Sequence, residues 1–113
     1  MAGTLKRISG PAYMGASAAD IYTPPASTIL TVIRQIHIAN VTNGALTFTL
    51  YVGATGGSVG GTELEKAKTI AANDVFNEFY SPGLRMASTD FLSGLASAGT
   101  SLVITIMGEQ SVV

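Results

Sequence analysis

The chain has 113 residues, which suits one domain, and only 12 % of them are charged, against roughly 25 % in ordinary soluble domains. Six Lys and Arg against seven Asp and Glu leave a net charge of −1, with no basic stripe to meet a phosphate backbone. Cysteine is absent, which removes disulfides and thiolate chemistry, and no apolar run reaches the ~20 residues of a membrane-spanning helix.

A surface so poor in charge is weakly protected against association, so neighbouring subunits are expected to cover much of it. Folding in the cytosol is expected, since no disulfides staple the chain and MAGTLKRISG lacks the apolar core of a signal peptide.

Residues 1–19 read as an arm or an edge strand outside the core. They are rich in Gly, Ala and Ser, with a short strand at Leu5–Ile8 and a turn at Gly10-Pro11. Residues 20–113 read as the β domain proper. Thr23-Pro24-Pro25-Ala26 forms a rigid lead-in, because prolines fix φ and donate no hydrogen bond. Ile29–Val41 is β-branched and apolar. Leu30, Val32, Ile36 and Ile38 share one parity and mark its inward face, while Ile29 and Ile33 fall on the other. Either both faces are partly covered, or a bulge near Ile33–Gln35 shifts the register.

Thr42-Asn43-Gly44 is a strong hairpin signal. The strand after it alternates cleanly, with Leu46, Phe48, Leu50 and Val52 facing one way. Gly53–Gly61 carries five glycines in GATGGSVGG and reads as a loop able to order against a neighbour. Thr62–Thr69 is open between a helical turn and a strand, with a strand at Lys66–Ala71 favoured. Ala72-Asn73-Asp74 is a turn before a strand at Val75–Tyr80. Ser81-Pro82-Gly83 breaks the chain, Leu84–Met86 and Phe91–Leu95 are short strands, and Ala98-Gly99-Thr100 turns into a last strand at Ser101–Met107. Seven to eight short strands without a helical period predict an all-β, antiparallel β-sandwich or jelly-roll-like domain.

No catalytic constellation emerges. His37, the single histidine, sits mid-strand on the solvent-side parity, and no G-x-S-x-G elbow accompanies it. With one His and no Cys, zinc lacks a ligand set. Asp20, Asp74 and Asp90 are isolated, and a solvated face accounts for Glu63 and Glu65 better than a calcium loop does. The glycine loop lacks the Lys of a phosphate cradle. No Trp is present, and Tyr51 and Tyr80 are the candidate aromatics for a carbohydrate-binding module. No catalytic, cofactor-binding or metal site is expected, and neither nucleic acid nor membrane is an expected partner.

One stretch carries a family likeness. IYTPPAS, ILTVIRQIHIAN and VTNGALTFTLYVG, with TIAAN before Val75 and GTSLVITIMGE near the end, resemble a strand-and-turn pattern of small virion proteins of tailed bacteriophages. The second proline after Pro24 and the acidic TELEK segment depart from it. The resemblance implies a virion structural protein and not an enzyme: a decoration, or auxiliary head, protein on the capsid surface, assembled in the host cytoplasm. It would be a homo-oligomer, a trimer by preference, bound to the major capsid protein or other virion subunits through the arm Met1–Ala19 and the loop Gly53–Gly61. A tail or baseplate component is the alternative, and deletion of 1–19 is expected to spare folding and weaken attachment.

Overall fold

A computed structural model describes residues 4–17, 19–24, 28–53, 62–87 and 89–112. They form eight strands and, among the described residues, no helix: β1 (Thr4–Tyr13), β2 (Ala19–Tyr22), β3 (Thr28–Asn40), β4 (Leu46–Gly53), β5 (Glu63–Ile70), β6 (Val75–Met86), β7 (Phe91–Ala96) and β8 (Leu102–Val112). Two four-stranded antiparallel sheets run in the orders β1-β8-β3-β6 and β2-β7-β4-β5. We call them the first and second sheet. The chain alternates between sheets at nearly every turn, and this strand order is that of a jelly roll.

Alternation builds the core. The first sheet contributes Ile36 and Ile38 of β3, Leu102, Ile104 and Ile106 of β8, and Met86 of β6; the second contributes Phe48 and Leu50 of β4, Leu92 of β7 and Ile70 of β5. Phe48 meets Phe76 edge-on across the sandwich, with ring centroids 4.9 Å apart. Leu46 and Val52 pack against this core from the face expected of β4.

β3 settles the parity question by a bulge. Thr31 and Ile33 are buried before it, and Ile36, Ile38 and Asn40 after it. Pairing with both β6 and β8 shifts between Ile33 and Gln35, so Arg34 is the extra residue. Leu30 and Val32, expected to point inward, therefore stand on the outer parity. The two apolar sets are both genuine, one on each side of the bulge.

Several expected breaks are continuous strand. Gly10-Pro11 is not a turn: β1 runs through it as an edge strand, shifting register against β8 twice. Nor does Ser81-Pro82-Gly83 end a strand. β6 continues to Met86, absorbing Leu84–Met86, and bulges where Ile33 pairs Leu84 and Gln35 pairs Phe79. Proline survives there because β6 is an edge strand, whose missing donor costs no ladder bond. The guanidinium of Arg34 donates to the Pro82 carbonyl and, through Nε, to Glu109 Oε2 at 2.7 Å. Residues 63–69 belong to strand and not helix, since β5 spans Glu63–Ile70.

Thr42-Asn43-Gly44 is not a hairpin. It carries the chain from β3 in the first sheet to β4 in the second, and neither Asn43 nor Gly44 has positive φ. The N-terminal segment is more integrated than an arm: Met14 is 2 % exposed within the core, and Met14 N–H donates to the Leu102 carbonyl at 2.8 Å. Removing residues 1–19 would thus strip β8 of a strand partner and open the core, against the expectation that folding is spared. The glycine loop lies, from 54 to 61, outside the described residues.

Candidate interaction surface

The outer face of the first sheet is organised by register. Gln35 of β3 pairs with Phe79 of β6 and with Met107 of β8. One pleat further on, His37 pairs with Asn77 and Thr105, and then Ala39 pairs with Val75 and Val103. Side chains two apart share a face, so these are three parallel rows on one surface. Tyr13 of β1 extends the last row beside Val103. None of these residues carries a fixed charge. Phe79 is 68 % exposed, Tyr13 58 % and Val75 47 %, with Val41 at 53 % just beyond the Ala39 row.

The middle row is polar and knitted together. Asn77 Oδ1 lies 2.6 Å from His37 Nδ1 and accepts from Gln35 Nε2 at 3.0 Å. His37 is thus on the outer parity, as expected, with an amide as its side-chain partner.

The Arg34 bulge divides this face. Beyond it, Val32 pairs with Arg85 and with Glu109, and Arg34 bridges to Glu109. Arg7 stands at the corner next to Met107. The fold therefore brings three of the chain's six basic residues, which look scattered in sequence, to one face: Arg34 and Arg85 beyond the bulge, and Arg7 at the β1 end of the Gln35 row. The His37 and Ala39 rows carry no fixed charge.

The remaining candidates disperse. Asp74 Oδ1 accepts from Val75 N–H at 2.8 Å and Asp90 Oδ2 from Ala87 N–H at 2.8 Å, so both acids close local turns. Asp20 lies on β2, opposite Ser93. Among the described residues no three His, Cys, Asp or Glu side chains gather where a metal ion would need them. Tyr51 lies on β4 in the second sheet, while Tyr80 on β6 packs toward the core, so the two form no common platform.

Glu65 and Tyr80 meet at the side of the sandwich between β5 and β6. Burial pushes the Glu65 carboxyl above its ordinary 4.5, Glu78 adds to the rise, and Lys68 at 4.0 Å opposes it. Burial also raises the Tyr80 phenol, helped by Glu65 and Glu78, and its buried hydroxyl has no hydrogen-bond partner. A carboxyl whose folded pKa is raised gives the fold full stability below its unfolded pKa and loses it as pH rises through the folded value. Glu65→Gln is accordingly expected to stabilise the protein at neutral pH by about 0.5 kcal/mol, a modest figure because solvent screens the site. Urea titrations of both forms check this, and the gain should vanish below pH 4.5.

The motif residues that carry the family likeness are structural. The Tyr22 hydroxyl is 3.4 Å from Thr31 Oγ1 and accepts from Gln110 Nε2. Asn40, at the end of ILTVIRQIHIAN, is 3 % exposed and holds a turn.

These features define a jelly-roll domain with a charge-poor, partly apolar outer half-face. No protein-family model matches the chain, and no curated protein sequence matches it. Solved structures do. A protein of Bacillus endospore appendages, described as disulfide-linked pili, aligns over 100 % of this chain and 91 % of its own with a TM-score of 0.53 at 17 % identity. A protein of infectious bursal disease virus strain Gx aligns over 93 % of this chain with a TM-score of 0.51 at 11 % identity, and the match spans 31 % of the viral chain. At such identities the likeness is one of fold.

Proposed function

We propose that this protein is a structural subunit of a bacteriophage particle, a decoration protein that binds the assembled shell and does no chemistry. The observation that supports it best is a half-face poor in charge: β6 presents exposed Phe79 and Val75, and the His37 and Ala39 rows carry no fixed charge, a surface suited to being covered. The phage-like strand pattern and the jelly-roll fold, which viral capsid domains also use, lend further support. Disulfide-linked assembly, as described for the appendage pili, does not carry over, because this chain has no cysteine.

The mechanism is adhesion. A protein that binds the assembled lattice and not its separated subunits stabilises the lattice by linkage, and several modest contacts add as avidity. The test is co-sedimentation of the purified protein with intact heads and with separated tails, followed by imaging. Saturable binding to heads, with density repeating on the lattice, supports the reading. Density only at or below the neck would reassign it to the tail, and no binding to either would remove the virion reading.

A further inference from the structure

We infer that this charge-poor half-face is the contact between two copies of this chain, packed face to face about a two-fold axis that crosses β3 at His37. The inference rests on the reading of the protein as an assembling subunit and names the surface that assembles it.

Self-complementarity follows from the row pattern. The polar His37 row is flanked on one side by Phe79 and Met107 with Gln35 between them and Arg7 at the end, and on the other by the mainly apolar row of Val75, Ala39, Val103 and Tyr13. A two-fold axis lying in the face sets polar row on polar row and apolar on apolar. Asn77 carries both donor and acceptor groups, the Thr105 hydroxyl is both, and His37 is both when neutral, so the middle row can pair with a copy of itself. Residues near an isologous axis meet their own copies, which penalises any charge there. The one fixed charge of this half-face, Arg7, lies at its β1 corner, off the His37 row.

Charge also selects the axis. An axis running along β3 would bring the half-face of Arg34 and Arg85 against its own copy, placing like charges together. An axis perpendicular to the strands sends the two basic halves to opposite ends of the dimer. Phe79 then faces the Val75 row of the other copy, and His37 faces His37.

The area fits a reversible dimer. Four strands at ~4.8 Å and five residues at ~3.3 Å give a footprint of about 19 × 17 Å. With side-chain relief this is on the order of 550 Å² of accessible surface per copy, or about 1,100 Å² in all, near the lower edge of specific interfaces.

Sedimentation equilibrium of the intact chain over a micromolar concentration series tests the proposal. A monomer–dimer equilibrium is expected. Phe79→Asp, at a site 68 % exposed and so tolerant in the monomer, should weaken it at least tenfold with an unchanged circular dichroism spectrum. Arg85→Glu should leave it within twofold. His37→Cys, the sole cysteine of its variant, should cross-link with a bis-maleimide matched to the roughly 10 Å spacing of packed sheets, while Lys66→Cys on the second sheet should not. A permanent monomer, a trimer, or a Phe79→Asp variant that associates like the wild type overturns the proposal. Wild-type monomers that still bind shells would sink the dimer and leave the proposed function standing; dimers that ignore every shell and tail would do the reverse.

Discussion

Replacing Asn40 by Ala is expected to cost about 3 kcal/mol of folding stability, one of the largest losses available from a single polar side chain in this fold. Asn40 ends β3 and is 3 % exposed. Its amide nitrogen donates to the carbonyls of Gly44, Ile70 and Ala71 at 2.8, 3.0 and 3.2 Å. Its Oδ1 accepts from Thr42 N–H at 3.0 Å and from Thr42 Oγ1 at 2.7 Å. One side chain therefore ties the β3–β4 crossing to the β5–β6 crossing. Backbone bonds repeat the link, from Asn40 N–H to the Asp74 carbonyl at 2.9 Å and from Asn73 N–H to the Thr42 carbonyl at 3.0 Å. Truncation leaves part-buried carbonyls unpaired, and each buried orphan costs about 1–3 kcal/mol.

Asn40→Asp sharpens the test, because it keeps the shape and loses the donor. A carboxylate facing three carbonyls is repelled by all of them, so this variant should be no more stable than Asn40→Ala at neutral pH. It should recover partly in acid, where a protonated carboxyl can donate one bond. Thermal unfolding checks both, with a drop on the order of 10 °C for the Ala variant. A fall of only a degree or two would mean that the backbone bonds hold the two turns together unaided.

Much of the architecture is legible in the sequence because burial on one face leaves a period-two trace. β4 is the clean case: Phe48 and Leu50 alternate with Thr47, Thr49 and Tyr51, and the core takes the apolar set. β3 is harder, since its two apolar parities mean either two covered faces or a bulge. Sequence narrows this to Ile33–Gln35, and the pairing of β6 and β8 decides it. Turn chemistry misleads where tertiary context overrides it. Asn43-Gly44 suggests a hairpin, yet the flanking strands belong to opposite sheets and the turn uses ordinary negative φ. Ser81-Pro82-Gly83 suggests a break, yet an edge strand can bulge around a proline while Arg34 caps it.

The candidate surface was only half legible. The outward parity of His37 can be read from Ile36 and Ile38. Its neighbours cannot, because Asn77 and Thr105 reach it through pairings 40 and more residues away in the chain. The placement of charge is hidden for the same reason: Arg7, Arg34 and Arg85 are distant in sequence and reach one face only through strands β1, β3 and β6, with β8 between the first two.

Glycine gives the sharpest contrast between what a sequence advertises and what a fold needs. Gly108→Ala is expected to cost about 3 kcal/mol or more, whereas Gly44→Ala should change stability by less than about 0.5 kcal/mol. Gly44 belongs to the Asn-Gly pair that stands out in the sequence, but a Cβ there meets nothing within 4 Å and its φ is not positive. Gly108 draws no notice inside the run ITIMGEQ. Its Cβ would lie 2.3 Å from the Val32 carbonyl oxygen, 3.2 Å from the Ile33 Cα and 3.2 Å from Ile8 Cδ1. The first two are backbone atoms of β3, next to the bulge at Arg34, and cannot move without parting β3 from β8. β8 is also the strand that holds β1, so the strain would reach three of the four strands of the first sheet. Urea denaturation of the two variants beside the wild type measures the difference. If Gly108→Ala unfolds at the wild-type midpoint, the close approach of β8 to β3 is relieved by a shift the sheet tolerates, and the bulge at Arg34 is softer than its buried neighbours imply. If it unfolds far earlier while Gly44→Ala does not, the space reserved at Gly108 is what allows β3 and β8 to pair through the bulge, and with it the outer face to divide into a charged half and a charge-poor one.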